Sequence, residues 1–208
     1  ILSDYYIHSE QRYCTGYQNT RMYDRAYFAR NPSRLSDPGV RGAFVDLVLG
    51  RRPRTVLDVG CGEGWLLEGL REHGVAAWGV DPSADLGVVT RASGRSVRAR
   101  ADALPCQDAS VDLVVCIDVL QHIPEPRLER SLRELARVAR RLLLALDTGD
   151  AAREGHRTLH GLEWWQDRCA RYGLRAVDDA PPLWLAGLAV FWTEAPAAGH
   201  ERPRRGSA

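Results

Sequence analysis

Residues 56–64 read Val56-Leu57-Asp58-Val59-Gly60-Cys61-Gly62-Glu63-Gly64. The first four form a short apolar strand carrying one acid. Glycine then recurs at every second position before a helical stretch, residues 65–73, begins. Glycine carries no Cβ and tolerates positive φ, so a turn of this composition lets a ligand lie directly against the backbone. The unpaired N–H groups in the first turn of the next helix can then hold an anionic group. Turns of this kind serve several nucleotide-type ligands, and the spacing narrows the choice. A dinucleotide fingerprint needs G-x-G-x-x-G, whereas these glycines fall as G-x-G-x-G followed by Trp65. A P-loop needs Gly-Lys-Ser/Thr, and the chain contains no lysine.

Working outward, residues 75–80 form a second apolar stretch that ends in Asp81. In nucleotide-binding α/β folds a carboxylate at this place takes the two ribose hydroxyls. Residues 97–101 lead into Asp102-Ala103-Leu104-Pro105, and residues 112–117 form a fourth strand that runs into Asp118-Val119-Leu120-Gln121-His122-Ile123. The ordered set VLDVGCGEG, GVDPS, ADALP and DLVVCIDVLQHI spans residues 56–123. It resembles the class I S-adenosylmethionine (SAM)-dependent methyltransferases, and the similarity continues more weakly to about residue 194. The resemblance implies a Rossmann-like, doubly wound, seven-stranded α/β sheet. That sheet would be mostly parallel with an antiparallel terminal strand, would carry α-helices on both faces, and would bind SAM as cofactor. It says little about the methyl acceptor.

Composition agrees with a soluble globular chain: 208 residues, 45% hydrophobic and 26% charged. The formal net charge is +1, which gives no bulk electrostatic case for nucleic acid or membrane. All 28 basic residues are arginine, most of them expected on solvated helix faces. The five cysteines, Cys14, Cys61, Cys106, Cys116 and Cys169, show no C-x-x-C pair and no metal-ligand spacing with histidine, so no metal is expected. Cys61 and Cys116 are read as small apolar packing residues beside the cofactor. With no signal-peptide pattern and no apolar run long enough to span a bilayer, a cytoplasmic protein is expected.

Residues 1–45 read as a helical lid or cap, and six of the seven tyrosines lie there. Residues 22–30 form a short helix ended by Asn31-Pro32, and Asp37-Pro38 caps a second helix reaching residue 49. Residues 46–194 form the cofactor-binding domain, whose alternation of strand and helix is the pattern of a parallel doubly wound sheet. Residues 126–139 give a helix, 141–147 a fifth strand without the Pro-Gly-Gly-type turn common before it, and 161–172 a further helix with Gly173 at its C′ position. Residues 174–177 and 188–193 close the sheet as an antiparallel pair. The tail, 195–208, rich in Pro, Gly, Ala and Arg, is expected to be disordered.

The resemblance implies roles by position. Asp58 fixes the turn and reaches toward the cofactor's amine; Gly60, Cys61, Gly62 and Gly64 border its methionine and ribose portions. Asp81 accepts the ribose hydroxyls and Pro82 flanks the adenine. Asp102 accepts the adenine amino group with the Ala103 backbone beside it, and the Ile117 carbonyl faces the ammonium. His122 is the candidate base, since a neutral imidazole takes a proton near physiological pH; the alternative is a histidine that only hydrogen-bonds backbone in its loop. Tyr23, Tyr27, His156, His160 and Trp164 are candidates for the acceptor pocket. Of the adjacent Trp164 and Trp165, one is expected in the core. The tyrosines could cage a cationic acceptor or merely pin the N-terminal helices.

These residues point to methyl transfer onto an oxygen or nitrogen of a small molecule, with secondary metabolism the setting considered. No appended RNA-binding module or basic patch argues for nucleic acid, and oligomeric state is not legible. The alternatives are methylation of a peptide or protein side chain, and a non-catalytic SAM-binding accessory protein.

Overall fold

A computed structural model describes residues 23–83, 95–149, 155–177 and 183–194. The expected tail and residues 1–22 of the expected cap, including Tyr5 and Tyr13, lie outside the described residues. In chain order the helices are α1 (Arg25–Arg30), α2 (Pro38–Leu49), α3 (Trp65–Glu72), α4 (Glu125–Val138) and α5 (Leu162–Arg171). The strands are β1 (Thr55–Val59), β2 (Ala76–Asp81), β3 (Ser96–Arg98), β4 (Val111–Ile117), β5 (Ala139–Leu146), β6 (Arg175–Ala176), β7 (Leu183–Leu185) and β8 (Leu188–Glu194).

The strands assemble in the order β3-β2-β1-β4-β5-β8-β6, with β7 paired to β8. Neighbours from β3 to β5 run parallel, and β8 lies antiparallel to β5. The doubly wound, mostly parallel sheet is as expected, with one short strand more. That strand, β7, folds onto β8 through Ala186 and Gly187, both at positive φ (52° and 78°), the geometry of a tight two-residue hairpin. Strand order reverses between β1 and β4, so a crevice opens beyond their carboxyl ends; in such sheets that is where ligands bind.

Because successive strand residues point to opposite faces, the apolar strands feed two cores. Leu57, Val114, Leu142 and Leu144 pack with Leu128, Leu132 and Leu135 of α4 and with Trp165 of α5. Val56, Leu113, Val115 and Leu143 pack with Phe44, Val45 and Val48 of α2 and with Leu66, Leu67 and Leu70 of α3. Residue 45, where the sequence places the end of the cap, is thus a core position inside α2. The Asp37 carboxylate caps α2 by accepting the Gly39 and Val40 N–H groups at 2.8 and 3.0 Å, and Pro38 sits in the first turn. At Gly69 of α3 a Cβ would lie 2.8 Å from a Val45 methyl, so only glycine lets α2 and α3 approach this closely. Among the described residues no helix is long and apolar enough to cross a membrane.

Candidate active site

The turn after β1 is strapped to β2: Gly60 and Cys61 both donate their N–H to the Val80 carbonyl, at 2.7 and 3.1 Å. Gly60, Gly62 and Gly64 all have positive φ (83°, 48° and 81°). At Gly60 the need is also steric, since a Cβ there would sit 2.2 Å from Val119 Cγ2. Asp81 ends β2 and is 7% exposed; its Oδ2 accepts Gly62 N–H at 3.0 Å and its Oδ1 accepts Ser83 N–H at 2.8 Å. Each oxygen retains acceptor capacity for a ligand hydroxyl. Burial raises the Asp81 carboxyl despite these two hydrogen bonds.

Asp58, on β1, is 3% exposed, and its carboxyl is pushed up to about 8 by burial and by Asp81. Two buried carboxylates side by side are what a ligand bearing an ammonium and a diol would relieve. Burial, then Asp58 and Asp81, hold the Cys61 thiol protonated, so it packs rather than reacts.

A cavity of about 520 Å³ opens over this turn and runs to the far ends of β3 and β4. Asp58, Gly60, Cys61, Gly62, Asp81, Pro82, Asp102 and Ile117 line it, as do Tyr23, Tyr27, His122 and His156. Gly64 lies behind it as the left-handed N-cap of α3. Ala103 also stands behind the lining, because its N–H closes a turn on the Arg100 carbonyl at 3.0 Å.

At the β3 end, Asp102 is held by two arginines that the sequence did not single out. Arg100 donates through Nε to Oδ1 (2.9 Å) and through Nη2 to Oδ2 (3.0 Å), while Arg127 of α4 donates through Nε and Nη2 to Oδ2 (2.9 and 2.8 Å). Burial alone would raise this carboxyl, but the hydrogen bonds and charges of Arg100 and Arg127 outweigh it and hold it below the ordinary value.

At the β4 end the chain turns sharply at Asp118, a non-glycine residue at φ 59°, a backbone strain that clusters at functional sites. A short 3-10 turn, Leu120–His122, then brings His122 into the cavity. Its Nδ1 lies 3.4 Å from the Tyr23 hydroxyl, and its ring meets His156 edge-on with centroids 4.7 Å apart. Burial lowers the His122 pKa below its ordinary value, with Asp118 opposing, so the imidazole is neutral at pH 7.

Asp118, His122 and His156 bring donor atoms within 4.8 Å of one another, a grouping of metal-ligand types that the sequence did not suggest. Both oxygens of Asp118 are already engaged, however, Oδ2 by Arg34 Nε at 3.2 Å and Oδ1 by the Gln121 amide. Arg34 also donates to Asp147 Oδ2 at 3.4 Å and to the Ala186 carbonyl at 2.7 Å.

The N-terminal segment covers this end. Tyr23 packs edge-on against Tyr27 (4.9 Å), its carbonyl accepts the Ser83 hydroxyl, and Phe28 faces Gly62. Two expected pocket residues stand elsewhere. His160 stacks on Trp164 at 3.7 Å and pairs with Glu125 at 2.7 Å, outside the cavity lining. The reason is the helical geometry of α5: Trp165 takes the buried face, fully enclosed, which turns its neighbour Trp164 outward toward His160 and Arg168. Arg34, Asp118 and the Asp102 arginines were missed.

Residues 57–142 match the family model described as a methyltransferase domain. The ubiquinone biosynthesis O-methyltransferase of Coxiella burnetii (strain Dugway 5J108-111) is 32% identical over 104 residues, covering 46% of this chain and 44% of that protein. The chain thus spans less than half the length of that curated relative. Among solved structures, the fold is shared with Burkholderia thailandensis 1,6-didemethyltoxoflavin-N1-methyltransferase (TM-score 0.63, 17% identity, 80% of each chain). It is shared as well with the magnesium protoporphyrin IX methyltransferase of Synechocystis (TM-score 0.59, 18% identity, 81% of this chain and 88% of that one).

Proposed function

We propose that the chain, whose residues 57–142 match the methyltransferase-domain model, is a class I SAM-dependent methyltransferase that transfers a methyl group to an oxygen or nitrogen of a small molecule. The observation that carries the reading is one continuous cavity of about 520 Å³ joining the Asp58–Asp81 cradle to His122 and the aromatic cover. Its volume lies in the range of pockets that enclose small ligands.

SAM, when bound, supplies an electrophilic methyl group on a leaving group that departs neutral. The chain's own work is to orient, exclude water and manage a proton. Asp81 offers two oxygens to the ribose hydroxyls, Asp58 balances the amino-acid ammonium, and the glycine turn admits the chain between them. Holding two reactants in line accounts for much of such a catalyst's advantage. Residues 23–35 act as the cover, with Tyr23, Tyr27 and Phe28 keeping water from the transfer path. His122 takes the acceptor's proton; burial keeps it neutral, and the Tyr23 hydroxyl orients the ring.

The test is turnover: the chain with SAM and a panel of small hydroxyl- and amine-bearing acceptors, following S-adenosylhomocysteine and methylated product by mass spectrometry. Product from a small molecule supports the reading. Tight binding of S-adenosylhomocysteine with no methylation of any small molecule refutes it and favours a macromolecular acceptor or an accessory role.

A further inference from the structure

The adenine end of the cavity contains more charge than a single hydrogen-bond acceptor requires. Asp102 is 3% exposed, yet it stands between two guanidiniums that also line the cavity, Arg100 from the turn after β3 and Arg127 from the first turn of α4. A carboxylate has about four acceptor positions, two on each oxygen. Oδ2 receives three of the four N–H groups and Oδ1 receives one. The Arg100 fork is bidentate, which fixes the plane of the carboxylate as well as its charge. Arg127 adds a second anchor from an element 25 residues away. The carboxylate is therefore ionised, immobile and saturated on one side, with capacity left on Oδ1.

Resting on the SAM reading above, we propose that Arg100 and Arg127 are positioning residues that make the cofactor site select an amino-purine over an oxo-purine. An exocyclic amino group donates to the one oxygen with capacity left. An exocyclic carbonyl at the same place would set two acceptors against each other, and the clamped carboxylate can neither rotate away nor take up a proton to accommodate it. Without the clamp, Asp102 can do both, and discrimination fades. If the arginines served only to tie α4 to the turn after β3, their loss would weaken the fold and leave the choice of purine untouched.

The experiment is calorimetric binding of S-adenosylhomocysteine and its 6-oxo analogue, S-inosylhomocysteine, to the parent chain and to Arg100→Gln, Arg127→Gln and the double variant, with no turnover required. The parent should prefer the adenosyl ligand by about 10–100-fold or more, the lower figures being the scale of one hydrogen bond to a charged group. The double variant should bind the adenosyl ligand several-fold more weakly, and its preference should shrink to within about threefold. Both ligands are measured on one folded preparation, so partial unfolding scales them alike and leaves the ratio intact. Should the double variant fail to fold, Arg127→Lys, which keeps the charge and loses the fork, should give an intermediate ratio.

A parent-like ratio in the double variant, or in Arg127→Lys where that stands in for it, overturns the proposal. Equal binding of both ligands by the parent overturns the proposal together with the adenine role of Asp102. Binding of neither ligand by the parent overturns the SAM reading itself.

Discussion

With the proposed ammonium set against Asp58, ligand binding should release a proton, and the size of the release follows from that carboxyl's setting. The carboxyl sits on β1 with 3% exposure, and burial together with Asp81 pushes it up to about 8. At pH 7 it therefore carries a proton in about nine-tenths of unliganded molecules. An ammonium placed against it favours the carboxylate, so binding expels that proton. By linkage, the binding constant for S-adenosylhomocysteine should rise about ninefold between pH 6 and pH 7 and flatten above pH 8. Calorimetry in buffers of low and high ionisation enthalpy, such as phosphate and Tris, reads the number released directly; roughly 0.9 per ligand is expected at pH 7. Asp58→Asn should abolish both the buffer dependence and the pH slope.

The same shift acts on stability, and its sign is fixed. A carboxyl raised in the folded state contributes fully below the unfolded value near 3.8 and loses that contribution as pH climbs through about 8. The unliganded parent should accordingly lose stability relative to Asp58→Asn between about pH 4 and pH 8. A parent that binds with no buffer dependence at pH 7, or an Asp58→Asn variant that keeps the parent's dependence, refutes this account of the cradle.

Three further outcomes follow from the same geometry. Asp81→Ala removes the proposed acceptors for the ribose hydroxyls along with those for the Gly62 and Ser83 N–H groups, and should weaken S-adenosylhomocysteine by about 1–3 kcal/mol in a binding titration; an unchanged affinity would dismiss the ribose role. His122→Ala should lower kcat by roughly 10²–10⁴ with little change in cofactor affinity, and should remove an ascending pH limb. That limb belongs below pH 6.5, because burial outweighs Asp118 and Asp147, with His156 adding to the lowering, so a mutant keeping both rate and limb would shift the role to His156. Gly60→Ala should cost about 2–4 kcal/mol in urea unfolding, from positive φ and collision with Val119. Combining it with Val119→Ala should cost less than the sum of the two single changes, whereas strict additivity would deny the collision.

The β1–turn–α3 unit was legible because its demands are local: positive φ, room for backbone, and an acid after the next strand. Asp81 could be placed by its position alone. Asp102 could be recognised as an acid after the third strand, but its state could not. Arg127 reaches it from another element, and among 28 arginines nothing in the sequence marks that one. Asp118 carried a usable signal, an acid just past a buried strand and four residues before a candidate base. Arg34 carried none, since its three partners come from just past β4, just past β5 and the β7–β8 hairpin, and meet only in the folded chain. His160 and Trp164 were misplaced because proximity in sequence to the fifth strand does not fix which way a helix presents its faces. β7 was hidden inside an apolar run whose only break is Ala186-Gly187, and alanine seldom marks a positive-φ turn.

The arrangement around Arg34 bears on how distant parts of the chain are coupled. One side chain, rooted between α1 and α2, grips Asp118, Asp147 and the crest of a hairpin more than 150 residues away. Withdrawing the guanidinium breaks all three bonds at once and parts its segment from two acids and the hairpin crest in the same motion, while the Tyr23 carbonyl, accepting the Ser83 hydroxyl, still ties it to the end of β2. The N-terminal cover and the hairpin at the sheet's edge thus share one rivet among their fastenings, so a change at either is felt at the two acids.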